Sequence, residues 1–586
     1  MLALGQWKKN EGHFLYCGAV ITLIALLFAP LVYAQGTDHS ERILFNAHVF
    51  TAVPEHPYAE AVAVRGDKIT AVGSLAEVQR AAGNSAEKVD LHGKMLLPGL
   101  IDSHVHPLDG GIALISADIG DQVQTIDQLA TFAADAKKSG KGMRGDVLFI
   151  SGTPLVFWSK TDELNDRFSG GAYANIPVFL RGSDGHTGWG NRALLLKAGI
   201  TKDFLSRLSA DDRAHYGIDA NGEPNGFAVD AGESKIEDAI PPPSKEQWLE
   251  GSRAAVRYLH SLGITAWLDA MADETILSAY QSLAQRGELT AHVAAFPVVN
   301  PKNDPAAELE AVQKLRKQFA GITNLTIPGI KVFADGVLEY PSQTASLTKP
   351  YRNTGRSGDL LFDPARFKEL AIAADKQGLI IHVHALGDRA VKEALNGIEA
   401  ARKANGNNGL PHTLTHIQLA DPEDFPRFKQ LGVIAAFQLL WATAEPDTIE
   451  LVKPYLDPEL YRWQYPARSL LDAGATISGA SDWFVSSPNV FWAIYQAETR
   501  KGPEGILDAS QRVPREAMLY AYTRNSARAM NQQDQIGSIA PGMQADLLLV
   551  DRDVTTVPAE EMRDTSVLWT MVGGVTVYRA QPEVGH

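Results

Sequence analysis

Histidine, lysine and aspartate recur at or near the ends of short apolar runs in this chain, and that placement is where chemistry can be built. The runs are Leu100–His106, Thr265–Asp269, Ala291–Phe296, Ile330–Asp335, Leu379–His384, Thr413–His416, Val433–Gln438 and Thr476–Asp482. His104 and His106 stand two apart, so on a strand both point to one side and two imidazoles can face one ion. His384, His416 and Asp482 close three further runs. Imidazole and carboxylate are donors for a divalent cation, and a carboxylate beside a metal-bound water can take and return a proton. Lys331 is the odd member, because an ammonium has no lone pair to give a metal. Burial lowers a lysine's pKa, however, and the neutral amine can combine with carbon dioxide. The resulting carbamate is anionic, with two oxygens, enough to bridge two ions. The competing reading of Lys331 is a salt bridge to nearby Asp335. Each histidine taken singly is as readily a packed core residue; the case rests on five strand ends carrying ligand-capable groups in register. His382 and His412 are displaced from that register and read as core. A set without thiolate suits zinc, one or two ions, with manganese or iron as alternatives.

Something must hold these ends together. Helical patterns such as Phe367–Lys376 and Ala390–Lys403 separate most of the runs. Strand alternating with helix in this way predicts a (β/α)₈ barrel, an α/β fold whose active site lies at the C-terminal ends of its strands. The chain has 586 residues, well beyond a minimal barrel of about 250. The barrel is expected over 97–530, with a long insertion at about 107–251 forming a lid or pocket wall. β-rich segments flank it at 35–96, as in Ile43–Phe50 and Ala61–Gly73 with a Gly66-Asp67 turn, and at 531–586, as in Gly537–Asp551 and Val572–Tyr578. Neither is large enough for a sheet core of its own, so the two are expected to pair into one small composite β-sandwich. Phe157, Trp158, Trp189, Trp441, Trp463 and Trp483 lie where they could line the mouth for an apolar or aromatic substrate group, or simply pack the insertion and its neighbours.

A net charge of −15 argues against a nucleic-acid partner, which favours a basic surface, and leaves a small molecule as the expected partner. At the start, Lys8 and Lys9 precede an uncharged apolar stretch from Phe14 to Leu31, closed by Val32-Tyr33-Ala34. That predicts a signal peptide over 1–34 and an exported protein, periplasmic or secreted. The alternative is an uncleaved membrane anchor, since the stretch approaches spanning length. Cys17 is the only cysteine and lies in this segment, so a mature chain has neither disulfide nor Cys ligand. A homo-oligomer is compatible with the sequence.

At its motifs the chain resembles the amidohydrolase superfamily, specifically the family-3, YtcJ-like branch of metal-dependent hydrolases. The motifs are Pro98-Gly-Leu-Ile-Asp-Ser-His-Val-His-Pro107, Asp184-Gly-His186 with Asn191, Lys331 with Asp335-Gly336, and His384-Ala-Leu-Gly-Asp-Arg-Ala390. They continue with His416-Ile-Gln418, Ser481-Asp-Trp483, Thr523-Arg-Asn-Ser-Ala527 and Gly537…Pro541-Gly…Ala545-Asp546. The resemblance implies a barrel with a composite β-sandwich, and a metal-activated hydroxide attacking a C–N bond, usually an amide. It implies His104, His106 and Asp482 on one metal, His384 and His416 on the other, and carboxylated Lys331 between them. Asp482 would act as the proton carrier, and His186 would hold the substrate or oxyanion unless Asp184-Gly-His186 is only a structural turn. Phe484 stands where relatives often have proline, and Leu439 follows Gln438 where proline is common; both flank the expected mouth. Mononuclear deaminases carry a Glu three residues after the strand-five histidine, where this chain has Gly387, and D-aminoacylase-like enzymes use a Cys ligand. The leading expectation is an exported hydrolase of a non-peptide C–N bond. A heterocycle deaminase or cyclic amidohydrolase, and a catalytically silent binding or regulatory protein on the same scaffold, remain the alternatives.

Overall fold

The computed structural model describes residues 41–119 and 123–581, so the segment 1–34 lies outside the described residues. Eight parallel strands carry the apolar runs. They are β1 (Leu100–Val105), β2 (Ile264–Ala272), β3 (His292–Pro297), β4 (Gly329–Phe333), β5 (Ile380–Ala385), β6 (Thr413–His416), β7 (Ile434–Phe437) and β8 (Thr476–Gly479). β1, β2 and β3 form one sheet with the short strand Leu325–Thr326, and β4 to β8 form a five-stranded sheet in chain order. Every residue of β1 and β5 is buried. Parallel strands covered on both faces need near-continuous apolar sequence, which is why these runs lack strict alternation. Val298 bridges Lys331 in parallel register, joining the segment after β3 to β4. The residues just past β8 are tied to β1: the Asp482 N–H donates to the His104 carbonyl, and the His106 N–H to the Trp483 carbonyl, both at 2.8 Å.

The intervening helices start on local signals. Asp363 caps Pro364–Lys376, with proline at the first helical position, where its missing N–H costs nothing. Helix Asp388–Asn405 buries Val391, Leu395 and Ile398, each contributing roughly 1.5–3 kcal/mol through burial. The helix following β1, Pro107–Ile115, packs on helix Lys245–Ser261 at a glycine pair. A Cβ on Gly111 would lie 2.0 Å from the Gly251 carbonyl oxygen, so any side chain there would push the two helices apart.

Both flanking segments join one eight-stranded sheet. Strand Glu41–Phe50 runs parallel to Glu87–Pro98 and antiparallel to Ala61–Arg65, while Leu547–Val550 pairs antiparallel with Glu87–Pro98. Leu44, Val62, Leu96, Leu547, Leu549 and Trp569 form an apolar cluster on it. Ile43, Ala61 and Ala63 pack with Val78 and Ala82 of helix Leu75–Ala82. The closing hairpin turns through Gly573 and Gly574 at φ +53° and +76°, both in the left-handed region that a two-residue type I′ turn demands.

Between β1 and β2 lies a sheet of its own, six-stranded, built from Met143–Arg144, Val147–Thr153, Val178–Gly182, Thr187–Gly190, Tyr216–Ile218 and Pro224–Val229. Phe157, Trp158 and Trp189 pack inside its core with Phe168 and Leu180. They are structural rather than part of a mouth. Among the described residues no helix is long and apolar enough to cross a membrane.

Candidate functional site

β1, β5 and β6 and the turn after β8 deliver four histidines and a carboxylate to one place. Asp482 Oδ1 lies 3.1 Å from His104 Nε2 and 3.0 Å from His106 Nε2. The His416 ring is 4.9 Å from that of His104 and 4.6 Å from that of His384, centroid to centroid. Donor atoms of His104, His416 and Asp482 all fall within 4.8 Å of one another. Lys331, 1% exposed, shares the cavity with them and makes no ion pair among the described residues; its Nζ rests 4.6 Å from the Phe333 ring. Asp335 is not its partner. That carboxylate accepts the backbone N–H groups of Ser346, Leu386 and Gly387 at 2.8–3.0 Å, fixing the turn that follows β5.

Burial, reinforced by the positive charge of Lys331, drives His104 and His382 well below the usual imidazole range. Burial also dominates at His384 and His416, where the neighbouring histidine adds to it. All four rings are therefore neutral and offer lone pairs. Burial likewise pulls Lys331 down to about 7, partly opposed by Asp482. At Asp482 burial pushes upward, but the His106 hydrogen bond and neighbouring positive charge outweigh it and hold the carboxyl at about 2. His106 Nδ1 and His416 Nδ1 are buried without a hydrogen-bond partner. Neutral imidazoles around an ionised carboxylate, with unsatisfied nitrogens, fit a divalent cation. His416, Asp482 and, on the cavity wall, Asp230 hold left-handed backbone at φ +75°, +58° and +48°. For non-glycine residues that costs on the order of 1–3 kcal/mol each and is typical of sites that the surrounding fold over-determines.

His382, read from the sequence as core, is fully buried and also does something specific. Its Nε2 lies 2.6 Å from His104 Nδ1, so it holds the His104 ring with Nε2 turned toward Asp482. His412 is a core residue, bound to Asp375 and to the Ile381 N–H. His186 arrives from the insertion, its ring 5.3 Å from that of His384. Its Nδ1 contacts Asp230 Oδ1 at 2.8 Å. Burial opposes charging His186, but the Asp230 bond and the charges of Asp230, Asp184 and Asp482 outweigh it and raise its pKa. Asp184 makes the turn as well: its Oδ1 accepts from the N–H groups of His186 and Thr187. Asn191 is structural, capping the helix Arg192–Lys197.

Two cavities of about 440 and 470 Å³ meet at Asp184, His186, His384, His416 and Asp482. The first also holds His104, His106, Lys331 and Phe484, with Arg181 stacked 4.9 Å over the Phe484 ring and facing Glu233 and Glu237. Trp441 lines the second and stacks on His416 at 5.6 Å and 4°. Trp463 instead packs on Phe425, and Trp483 on Tyr258. Asp230 and Arg181 carry no sequence signal. Asp230 stands 44 residues from His186, and only the insertion's own sheet brings the two together.

The sequence profile of the amidohydrolase family matches residues 87–578. The chain belongs to the amidohydrolase family. Its relatives include protein LONG AFTER FAR-RED 3 of Arabidopsis thaliana, 27% identical over 92% of each chain. N-substituted formamide deformylase of Arthrobacter pascens is 26% identical over 92% of this chain and 99% of that one. A metal-dependent hydrolase from Pyrococcus horikoshii shares the fold at a TM-score of 0.68 and 24% identity, covering 89% of this chain and 99% of that one. The amidohydrolase is thus an enzyme of a hydrolase family, and His104, His416 and Asp482 form a group whose donor atoms are close enough to share a metal ion.

Proposed function

We propose that this amidohydrolase is an exported, metal-dependent hydrolase of small-molecule amide-type C–N bonds, working at the strand ends of a closed (β/α)₈ barrel. The observation that carries the reading is the convergence of His104, His416 and Asp482 donors within 4.8 Å in a cavity that also holds His106, Lys331 and His384. The parallel order of the eight strands and the ties between β1 and the turn after β8 support the barrel. The basic and apolar pattern of 1–34 supports export. His104, His106 and Asp482 would hold one zinc ion, His384 and His416 a second, with Lys331 between them as its carbamate; the neutral amine that carbamate formation needs is available at a pKa of about 7.

A bound divalent cation supplies two things at such a site: it lowers the pKa of water and polarises a carbonyl oxygen. The chain's own groups do the rest. Asp482, ionised and at the junction of both cavities, accepts the proton of the attacking water and passes it to the leaving amine. His186, kept protonatable by Asp230, donates toward the substrate's carbonyl oxygen as negative charge develops there. Arg181 and Phe484 line the first cavity, with the Phe484 ring 6.5 Å from that of His106.

The test is a turnover screen of the zinc-loaded mature protein against N-acyl amino acids, aryl amides, N-substituted formamides and cyclic ureides; the Arthrobacter pascens relative puts formamides in the panel. Turnover of at least one class is expected, falling by about 10²–10⁴-fold in Asp482→Asn with the melting temperature retained. Full activity in Asp482→Asn would remove the proton-carrier assignment. Stoichiometric metal with no turnover on any amide would favour the silent binding protein.

A further inference from the structure

The second cavity has walls that hydrolysis of an amide bond alone does not call for. Glu339, Glu445 and Asp447 bring carboxylates to it, and Trp441, Tyr465 and Trp492 bring aromatic faces. Among the described residues no lysine or arginine lines it. Burial pushes Glu339 and Glu445 up to about 7 and Asp447 up to about 6; Asp447 adds to the first two, and Asp184 adds to Asp447. The acids therefore feel one another, and among the described residues none of the three stands in an ion pair. Asp184 Oδ2, on the wall shared with the catalytic cavity, is likewise buried without a hydrogen-bond partner. The aromatic wall begins at the metal site itself, since Trp441 stacks on His416 at 5.6 Å.

The shape of this acidic wall separates two kinds of cation. Among the described residues, the group with donors close enough to grip a metal is His104, His416 and Asp482; Glu339, Glu445 and Asp447 do not converge in that way. Carboxylates spread around a roomy space of about 470 Å³ and interleaved with tryptophan and tyrosine suit an organic cation, which gains from ring faces as well as from charge.

We infer that the second cavity receives an ammonium group carried by the substrate, so that the amide cleaved at the metal centre belongs to an organic cation. Calling that cation a substrate rests on the hydrolase reading above; the cavity's preference for a cation does not. The amide would sit at His384, His416 and Asp482, where the cavities meet, with its charged end along Trp441 toward Asp447.

The experiment is calorimetric titration of the zinc-loaded full chain with choline and with its uncharged isostere, 3,3-dimethylbutan-1-ol. Choline is expected to bind about tenfold more tightly, the scale of a partly desolvated cation–aromatic contact. That preference should vanish in the double variant Asp447→Asn, Glu445→Gln and shrink in Trp441→Leu, with the alcohol's affinity unchanged in the double variant. Circular dichroism melting checks that each variant is folded. Equal affinity for the two probes, no binding of choline at millimolar concentration, or a preference that survives in both folded variants would overturn the inference. Choline selectivity in a protein that turns over no amide would sink the hydrolase reading alone. Turnover of neutral amides without choline selectivity would sink this one alone.

Discussion

Replacing His382 with leucine keeps the volume of the side chain close to that of the imidazole and removes one interaction, the 2.6 Å contact between His382 Nε2 and His104 Nδ1. His104 is 1% exposed, so no water replaces the lost partner and Nδ1 is left buried and unsatisfied. An orphaned buried polar group costs about 1–3 kcal/mol, and that is the expected loss of stability in urea unfolding. The larger effect falls on metal. Partners that orient a ligating imidazole are worth about 10–100-fold in affinity, and His382 is the group that keeps His104 Nε2 aimed at Asp482. Competition between the protein and a chromophoric chelator for zinc measures this directly in wild type and His382→Leu. Zinc affinity within twofold of wild type, in a variant that melts cooperatively, would refute the positioning role and leave His382 as packing.

Three further outcomes follow from the geometry. Asp230→Asn removes the carboxylate 2.8 Å from His186 Nδ1 and with it the main support for the imidazolium. The alkaline limb of the pH dependence of kcat/KM should move to lower pH, and an unmoved limb would make the pair purely structural. His260, held by burial at about 4 against about 6.5 unfolded, stays neutral in the fold while the unfolded chain takes a proton. Its contribution is intact above about pH 6.5 and lost as pH falls toward 4, about 3 kcal/mol in all. His260→Gln should therefore lose less stability than wild type between pH 7 and 4.5 in urea titrations; equal losses would contradict this. Ending the chain at Asp546 strips Leu547–Val550 from the edge of Glu87–Pro98 and uncovers the apolar cluster around Leu96. An exposed, unpaired apolar edge invites association, so light scattering should show aggregates rather than a stable monomer.

The eight strands, and the histidine, lysine and aspartate at their ends, were legible because parallel strands buried on both faces leave a run of apolar residues that stops at those polar groups. Leu379–His384 and Ile330–Asp335 overlap β5 and β4 to within a residue or two. Helix Phe367–Lys376 falls inside the observed Pro364–Lys376. The Gly66-Asp67 turn was legible too, as Arg65 and Lys68 pair across it. The six-stranded sheet in the insertion was not, because its strands are short, irregularly spaced and packed within their own core. Asp230 could not be linked to His186 without that sheet. His382 shows the limit of parity: its spacing from His384 puts both on one side, but nothing in the sequence says that the deeper ring reaches across to His104. The acids of the second cavity, Glu445 and Asp447, sit at the start of the short helix Pro446–Ile449, where acidic residues are ordinary at a helix N-terminus and give no sign of a cavity.

The central claim is that side chains from separate strand ends close around a divalent cation, and a crystal structure of the mature protein grown with zinc tests it most directly. Collected above the zinc absorption edge, it should show anomalous density within bonding distance of His104, His416 and Asp482, with extra density on Lys331 Nζ for its carbamate. Density confined to surface histidines, with those three side chains hydrogen-bonded only to water, would contradict the account.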